Sequence, residues 1–147
     1  MRNTALTAFA LTALACAAGV QAAPPKPAAL VGTSWKIIQI DGKAPASPKA
    51  AMQFQTERIS ATAGCNGLGG TWRIRQGKLV GGPFVSTMMY CQSISGEDNL
   101  MAQERALSAL LSATPSIDLT RGKLTLRSLG HSAELVRADG PTQLRIR

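Results

Sequence analysis

In this 147-residue chain, two cysteines, a lone histidine and a glycine-rich run are the groups whose chemistry and spacing come closest to a reactive site. Cys65 and Cys91 are the pair left once Cys16 is set aside with an N-terminal leader. An even count in an oxidising compartment predicts one structural disulfide, with two separated buried thiols as the second choice. A redox or metal role fits poorly, because neither cysteine lies in a Cys-x-x-Cys motif and His131 is the one histidine, so zinc would lack ligands. No metal and no cofactor are expected. His131 could act as a base for Ser128 or Ser132, but its turn-rich surroundings offer no identifiable orienting acid, and it reads as a surface histidine. Gly64-Cys65-Asn66-Gly67-Leu68-Gly69-Gly70 superficially resembles a phosphate-cradling loop, yet no Gly-Lys-Ser/Thr follows and the next element reads as a strand. The run is expected to make a tight corner with positive φ at its glycines, Asn66 bonding the local backbone. With no catalytic set in view, the chain is expected not to be an enzyme but a noncatalytic binding or chaperone-like module, the alternatives being a hydrolase with an unrecognised site and a purely structural accessory domain.

Thr87-Met88-Met89-Tyr90 points elsewhere. Met88 and Tyr90 are expected first as core packing; the alternative is an adaptable apolar surface that holds a lipid or a peptide.

These residues must be positioned by β-structure. Apolar residues alternate with polar ones through Trp35 and Ile37, Met52 and Phe54, Ile59 and Ala61, Trp72 and Ile74, around Leu79, through Ile117 and Leu119, Leu124 and Leu126, around Leu135, and through Leu144 and Ile146. Turn residues separate them at Asp41-Gly42, Gly64 to Gly70, Gln76-Gly77, Gly81-Gly82-Pro83, Arg121-Gly122 and Gly130. The spacing predicts antiparallel pairing, most clearly a hairpin from Ser116 to Arg127. From Glu97 to Leu111 the period changes: Leu100, Met101, Leu107, Leu110 and Leu111 recur at helical spacing. Ser95 reads as the N-cap, with Glu97 and Asp98 complementing the helix dipole, and Pro115 ends the helix. Gln103 and Glu104 interrupt the apolar stripe and read as a solvent-facing flank, a polar group facing a cavity being the alternative. The fold class is therefore mainly β (α+β): about eight antiparallel strands in a curled sheet or barrel, with one helix against the sheet's open side.

The N-terminus sets the address. Arg2, the apolar run Ala5 to Ala18 and the small residues Val20-Gln21-Ala22 predict a secretory signal peptide over residues 1–22, cleaved after Ala22, and hence the periplasm. Ala13-Leu14-Ala15-Cys16 also resembles a lipoprotein lipidation site, with Ala13 where Leu is usual, so membrane association is expected only if Cys16 is lipidated. Residues 23–29, with Pro24, Pro25 and Pro27, read as an extended tether, and residues 30–147 as one domain, expected to be a monomer. Cleavage leaves 15 basic and 8 acidic side chains, a charge of +7. The basic residues are scattered and few aromatics could stack bases, so the charge reads as solubility and no nucleic-acid partner is expected.

Gly64-Cys65-Asn66, Gly70-Thr71-Trp72, Thr87-Met88-Met89-Tyr90-Cys91 and the hairpin Ile117-Asp118-Leu119 with Leu124-Thr125-Leu126 together resemble the META domain, also called the HslJ-like domain. The matching motif residues are Gly64, Cys65, Asn66, Thr87, Met89 and Cys91, with Leu30 and Trp35 opening the domain. The chain departs from the family at Ala61, where Gly is frequent, at Trp72, where Tyr is frequent, and at Tyr90, which bears on local packing. The resemblance implies an antiparallel, lipocalin-like β-barrel or strongly curled sheet with one helix packed across it. It further implies an envelope protein, often a lipoprotein, linked to heat or envelope stress, with no catalytic residues to carry over. The partner it leaves is an envelope protein, a lipid or a peptide.

Overall fold

A computed structural model describes residues 23–91 and 99–138. Its strands are β1 (Thr33–Ile40), β2 (Ala51–Phe54), β3 (Arg58–Thr62), β4 (Leu68–Arg75), β5 (Lys78–Gly81), β6 (Val85–Ser86), β7 (Ser116–Thr120), β8 (Lys123–Arg127) and β9 (Ser132–Arg137), with one helix, α1 (Asn99–Ser112), between β6 and β7. Around the wall the order is β3-β2-β1-β9-β8-β7-β5-β4, and β4 returns to pair with β3. The sheet is thus a closed antiparallel barrel of eight strands with β6 as an extra strand, and closure leaves no open side for the helix. The signal segment, Ser95, Glu97 and Asp98, and the strand expected at Leu144 and Ile146 lie outside the described residues.

Closure follows from alternation. Along β1 the side chains of Thr33, Trp35, Ile37 and Ile40 turn inward, and Met52, Phe54, Ile59, Ala61, Trp72, Leu79, Ile117, Leu124, Leu126 and Leu135 meet them in one continuous buried cluster. An eight-stranded wall encloses a space that side chains fill, and burial of this apolar surface is the main stabilising term. Both tryptophans satisfy their indole N–H inside: Trp35 Nε1 donates to Thr33 Oγ1 (2.7 Å) and Trp72 Nε1 to the Gln55 carbonyl (2.8 Å). Phe54 and Trp72 stack edge to face at 4.9 Å.

Three turns carry consecutive left-handed residues, Asp41-Gly42, Gln76-Gly77 and Arg121-Gly122, the geometry that suits two-residue connections between right-twisted strands. The run Gly64 to Gly70 differs from expectation. Only Gly64 in it has positive φ, and β4 already begins at Leu68, so Gly69 and Gly70 are strand residues. A packing demand keeps Gly70 bare: a Cβ there would come within 2.8 Å of Phe84, and one at Gly81 would strike the same ring. Phe84 thereby seats the chain as it leaves β5 and turns into β6, whose pairs with β4, Leu68 with Ser86 and Gly69 with Val85, escaped the alternation pattern because two residues show no period. At the N-terminus, Pro27–Ala29 of the segment read as an extended tether form a 3-10 turn before the buried Leu30.

The wall is narrowest between β5 and β7. One register pair, Lys78 with Ser116, joins them, made by the two bonds that flank it, Leu79 N–H to the Pro115 carbonyl (2.8 Å) and Ile117 N–H to the Gly77 carbonyl (3.0 Å). Helix α1 packs against β5, β1 and β9, crossing the barrel end, with Leu100, Leu107, Leu110 and Leu111 buried in the common core. It stops where Thr114 takes a left-handed conformation (φ 51°) ahead of Pro115. A β-branched residue is strained there. Thr114→Gly is therefore expected to raise stability by about 1 kcal/mol, read as a higher urea midpoint with an unchanged slope; an unchanged or lower midpoint contradicts the strain.

Candidate functional site

The six motif residues come together around one carboxamide. Gly64 turns the chain out of β3 with φ 132°, where a Cβ would collide with the Ser47 side chain. The turn aims the next two backbone amides at helix α1: Cys65 N–H (3.0 Å) and Asn66 N–H both donate to Glu104 Oε1. Asn66, buried, then uses its whole side chain. Its Nδ2 donates to Glu104 Oε2 (2.8 Å) and to the Met89 carbonyl (2.8 Å), while its Oδ1 accepts from Thr87 Oγ1 (2.9 Å) and Met89 N–H (2.7 Å). Thr87 and Gly67 exchange two further bonds, Gly67 N–H to Thr87 Oγ1 and Thr87 N–H to the Gly67 carbonyl, each 3.1 Å.

Cys65 and Cys91 are bridged, with Cα atoms 6.0 Å apart and a sequence separation of 26. Closing that loop stabilises the fold by about 3.5 kcal/mol in the chain-entropy account. The bridge and the Asn66 ladder together pin residues 87–91 to the β3–β4 connection as a short strap.

What the strap presents corrects the core-packing expectation for Met88 and Tyr90. Met88 is 96% exposed and Tyr90 72%, with Met89 56% exposed between them. Alternation fails here because the bonds of Thr87 and Met89 hold the backbone against the loop, and the barrel they would have filled is already occupied. With Met101, Arg105 and Ser108 of α1 they line an open groove of about 530 Å³. Asn66, Ser86, Thr87 and Glu104 complete the lining, so apolar and polar side chains share a groove whose size falls in the range of small-molecule sites.

Gln103 and Glu104 also depart from expectation, since neither forms a solvent-facing flank. Gln103 is buried, its Oε1 accepting from Ala46 N–H (2.7 Å) and its Nε2 donating to the Ala44 carbonyl (2.9 Å). One tethers α1 to the β1–β2 connection and the other to the β3–β4 connection. The signal was in the sequence: both stand at i+3 and i+4 from Leu100, inside the apolar stripe rather than beside it.

His131 lies at the far side of the Asp41-Gly42 turn. Its Nδ1 is 2.8 Å from Asp41 Oδ2, and Ser132 N–H donates to Asp41 Oδ1 (2.8 Å), so the orienting acid missed in the sequence is 90 residues away. Ser128 supplies no nucleophile to the ring, since its hydroxyl is engaged by the His131 backbone, and Ser132 contributes its amide. Burial works to raise the Asp41 pKa, but the bonds from His131 and Ser132 and the charges of His131 and Lys43 outweigh it and hold the carboxyl below its ordinary value. Among the described residues no group of three or more His, Cys, Asp or Glu could hold a metal ion, and no helix there is long and apolar enough to cross a membrane.

A family model for the META domain matches residues 28–140. The chain belongs to the META domain family. Two solved structures share the fold. One NMR structure is 24% identical, with a TM-score of 0.68 over 78% of this chain and 97% of its own; another, of a protein from Burkholderia xenovorans, is 23% identical, with a TM-score of 0.59 over 88% of this chain and all of its own. No curated protein matches. In this META domain Gly64-Cys65-Asn66 and Thr87 to Cys91 are thus the two halves of one support, and Trp72 packs in the core.

Two tests address the site. Glu104→Ala strands three donors and is expected to cost about 3 kcal/mol in chemical denaturation, with Glu104→Gln, which keeps one acceptor, costing about 1 kcal/mol; equal and negligible losses would show that the carboxylate does not hold the loop. For Asp41, a lowered folded pKa stabilises above the ordinary carboxylate range and the effect is lost as pH falls through the folded value. Wild type is therefore expected to exceed Asp41→Asn in stability at pH 7, and the difference to shrink once pH falls into the ordinary carboxylate range and to vanish only below the lowered folded value. A difference independent of pH rules out the linkage.

Proposed function

We propose that this META domain is an exported, noncatalytic binding module of the cell envelope, monomeric, whose working surface is the strap bearing Met88, Met89 and Tyr90. The observation that carries the reading is an exposed apolar cluster on a rigid support. Large apolar side chains left in water normally mark a contact surface, and methionine adapts its shape to varied partners. Here a disulfide and the Asn66 ladder hold the cluster out, so its exposure belongs to the folded state. Every polar atom of the Asn66 side chain is committed to that support, which favours holding over catalysis.

The surface suits a lipid or the apolar segment of an envelope protein or peptide, and a chaperone-like role in heat or envelope stress is the physiological setting we favour. Nucleic acid fits poorly, because both tryptophans are buried in the core. Export rests on the leader: the secreted form is expected to begin at Ala23 in the periplasm, and intact-mass measurement of material from the native host checks this. An acylated Cys16 would place the module on a membrane instead. For the binding role, the disulfide-bonded protein is expected to bind an environment-sensitive apolar dye and to delay aggregation of a chemically unfolded protein, and Met88→Ser/Tyr90→Ser to lose both effects. Wild type and variant behaving alike would remove the strap from the function.

One observation favours a second reading. The Asp41–His131 pair orients an imidazole as hydrolases do, in a polar cleft with Arg127 and Ser128. Hydrolase substrate profiling with His131→Ala as control decides it, and turnover lost in the variant would establish an enzyme.

A further inference from the structure

The groove has a chemical polarity that the apolar reading does not use. Its floor on the helix side is one stripe of α1, Met101, Glu104, Arg105 and Ser108, and its other wall is the strap. Along the helix, Arg105 stands about 6 Å beyond Met101 and Ser108 about 4.5 Å beyond Arg105. Along its helix side the groove therefore passes from the Met101 thioether to a guanidinium and a hydroxyl, facing the thioethers and phenol ring of the strap.

Among the groove's charged residues the carboxylate is already committed. Glu104 accepts from the amides of Cys65 and Asn66 and from Asn66 Nδ2. Among the described residues the two ion pairs are Lys123 with Glu134 and His131 with Asp41, so Arg105 has no carboxylate partner there. A guanidinium without a carboxylate partner, set beside apolar side chains in one groove, complements an anion attached to an apolar tail, since its planar fork pairs with carboxylate and phosphate oxygens.

Resting on the binding role assigned above, we propose that this groove takes a single-chain anionic amphiphile. The hydrocarbon tail lies along Met88, Met89, Tyr90 and Met101, and a carboxylate or phosphate head pairs with Arg105 and accepts from the Ser108 hydroxyl. The groove is open to solvent, and its volume of about 530 Å³ gives room for a chain of this size to lie along it. The site is outside the barrel, whose interior is occupied by its own side chains.

The test is calorimetric titration of the disulfide-bonded protein with decanoate, decyl phosphate and 1-decanol below their aggregation limits, with backbone amide shifts recorded alongside. Decanoate and decyl phosphate are expected to bind one per chain and about fivefold tighter than decanol, an advantage that Arg105→Gln removes and high salt reduces. Met88→Ser is expected to weaken all three ligands alike, and the shifts to centre on residues 86–90 and 101–108. Equal affinity for the three ligands, an anion preference that survives Arg105→Gln, or shifts spread over other basic residues would overturn the proposal while leaving an apolar binding role intact. Binding to vesicles of anionic lipid without binding of the free amphiphiles would also overturn it. Failure of decanol and the apolar dye together would instead remove the binding role itself.

Discussion

A single carboxylate on a helix holds the loop that holds the exposed strap of Met88, Met89 and Tyr90. Glu104 reaches from α1 to two consecutive amides of the β3–β4 connection and to the Asn66 side chain, and Asn66 in turn holds the Thr87 hydroxyl and the Met89 backbone. Such charge-assisted bonds are stronger than neutral ones, and a network of satisfied donors and acceptors defines one arrangement because each alternative strands a polar group. The disulfide adds a covalent limit on how far the strap can move, but the hydrogen bonds decide which way it faces.

The barrel and the strap divide two tasks that one surface could not perform together. A barrel of eight strands is stable because large side chains fill it, with Trp35, Phe54, Leu79 and Leu124 all essentially inaccessible. A cavity large enough for a ligand would remove part of that packing. Placing the apolar surface outside, on a segment supported by hydrogen bonds and a cross-link, leaves the core intact.

The strands were legible wherever alternation ran for four residues or more, because inward and outward positions then differ in chemistry; Trp35, Met52, Ile59, Trp72, Ile117, Leu124 and Leu135 all fall inward as their spacing requires. The cysteine pairing was legible too, from the even count that remains once Cys16 is set aside. Closure of the sheet, β6 and the sense of the strap were not. β6 is too short for a period, and Met88 has the composition of a core residue but the position of a surface one. Its exposure depends on bonds between residues over 20 apart, which local patterning does not carry. The pairing of Asp41 with His131 likewise arises from two turns brought together by β1 and β9. Gln103 and Glu104 were visible as anomalies, and their meaning required knowing that both connections cross the end of the barrel beneath them.

The single register pair between β5 and β7 gives the barrel a preferred place to open. Elsewhere neighbouring strands of the wall share several pairs, and β1 is tied to β9 across a separation of about 100 residues. Breathing motions are governed by the cheapest local opening rather than by global stability. The wall should therefore part at this seam first, admitting solvent to amides near Lys78 and Ser116 while the β1–β9 pairing persists. Because α1 packs on β5 and feeds directly into β7, opening there would also shift the helix stripe that forms one side of the groove, so slow wall motion and the shape offered to a ligand are mechanically linked.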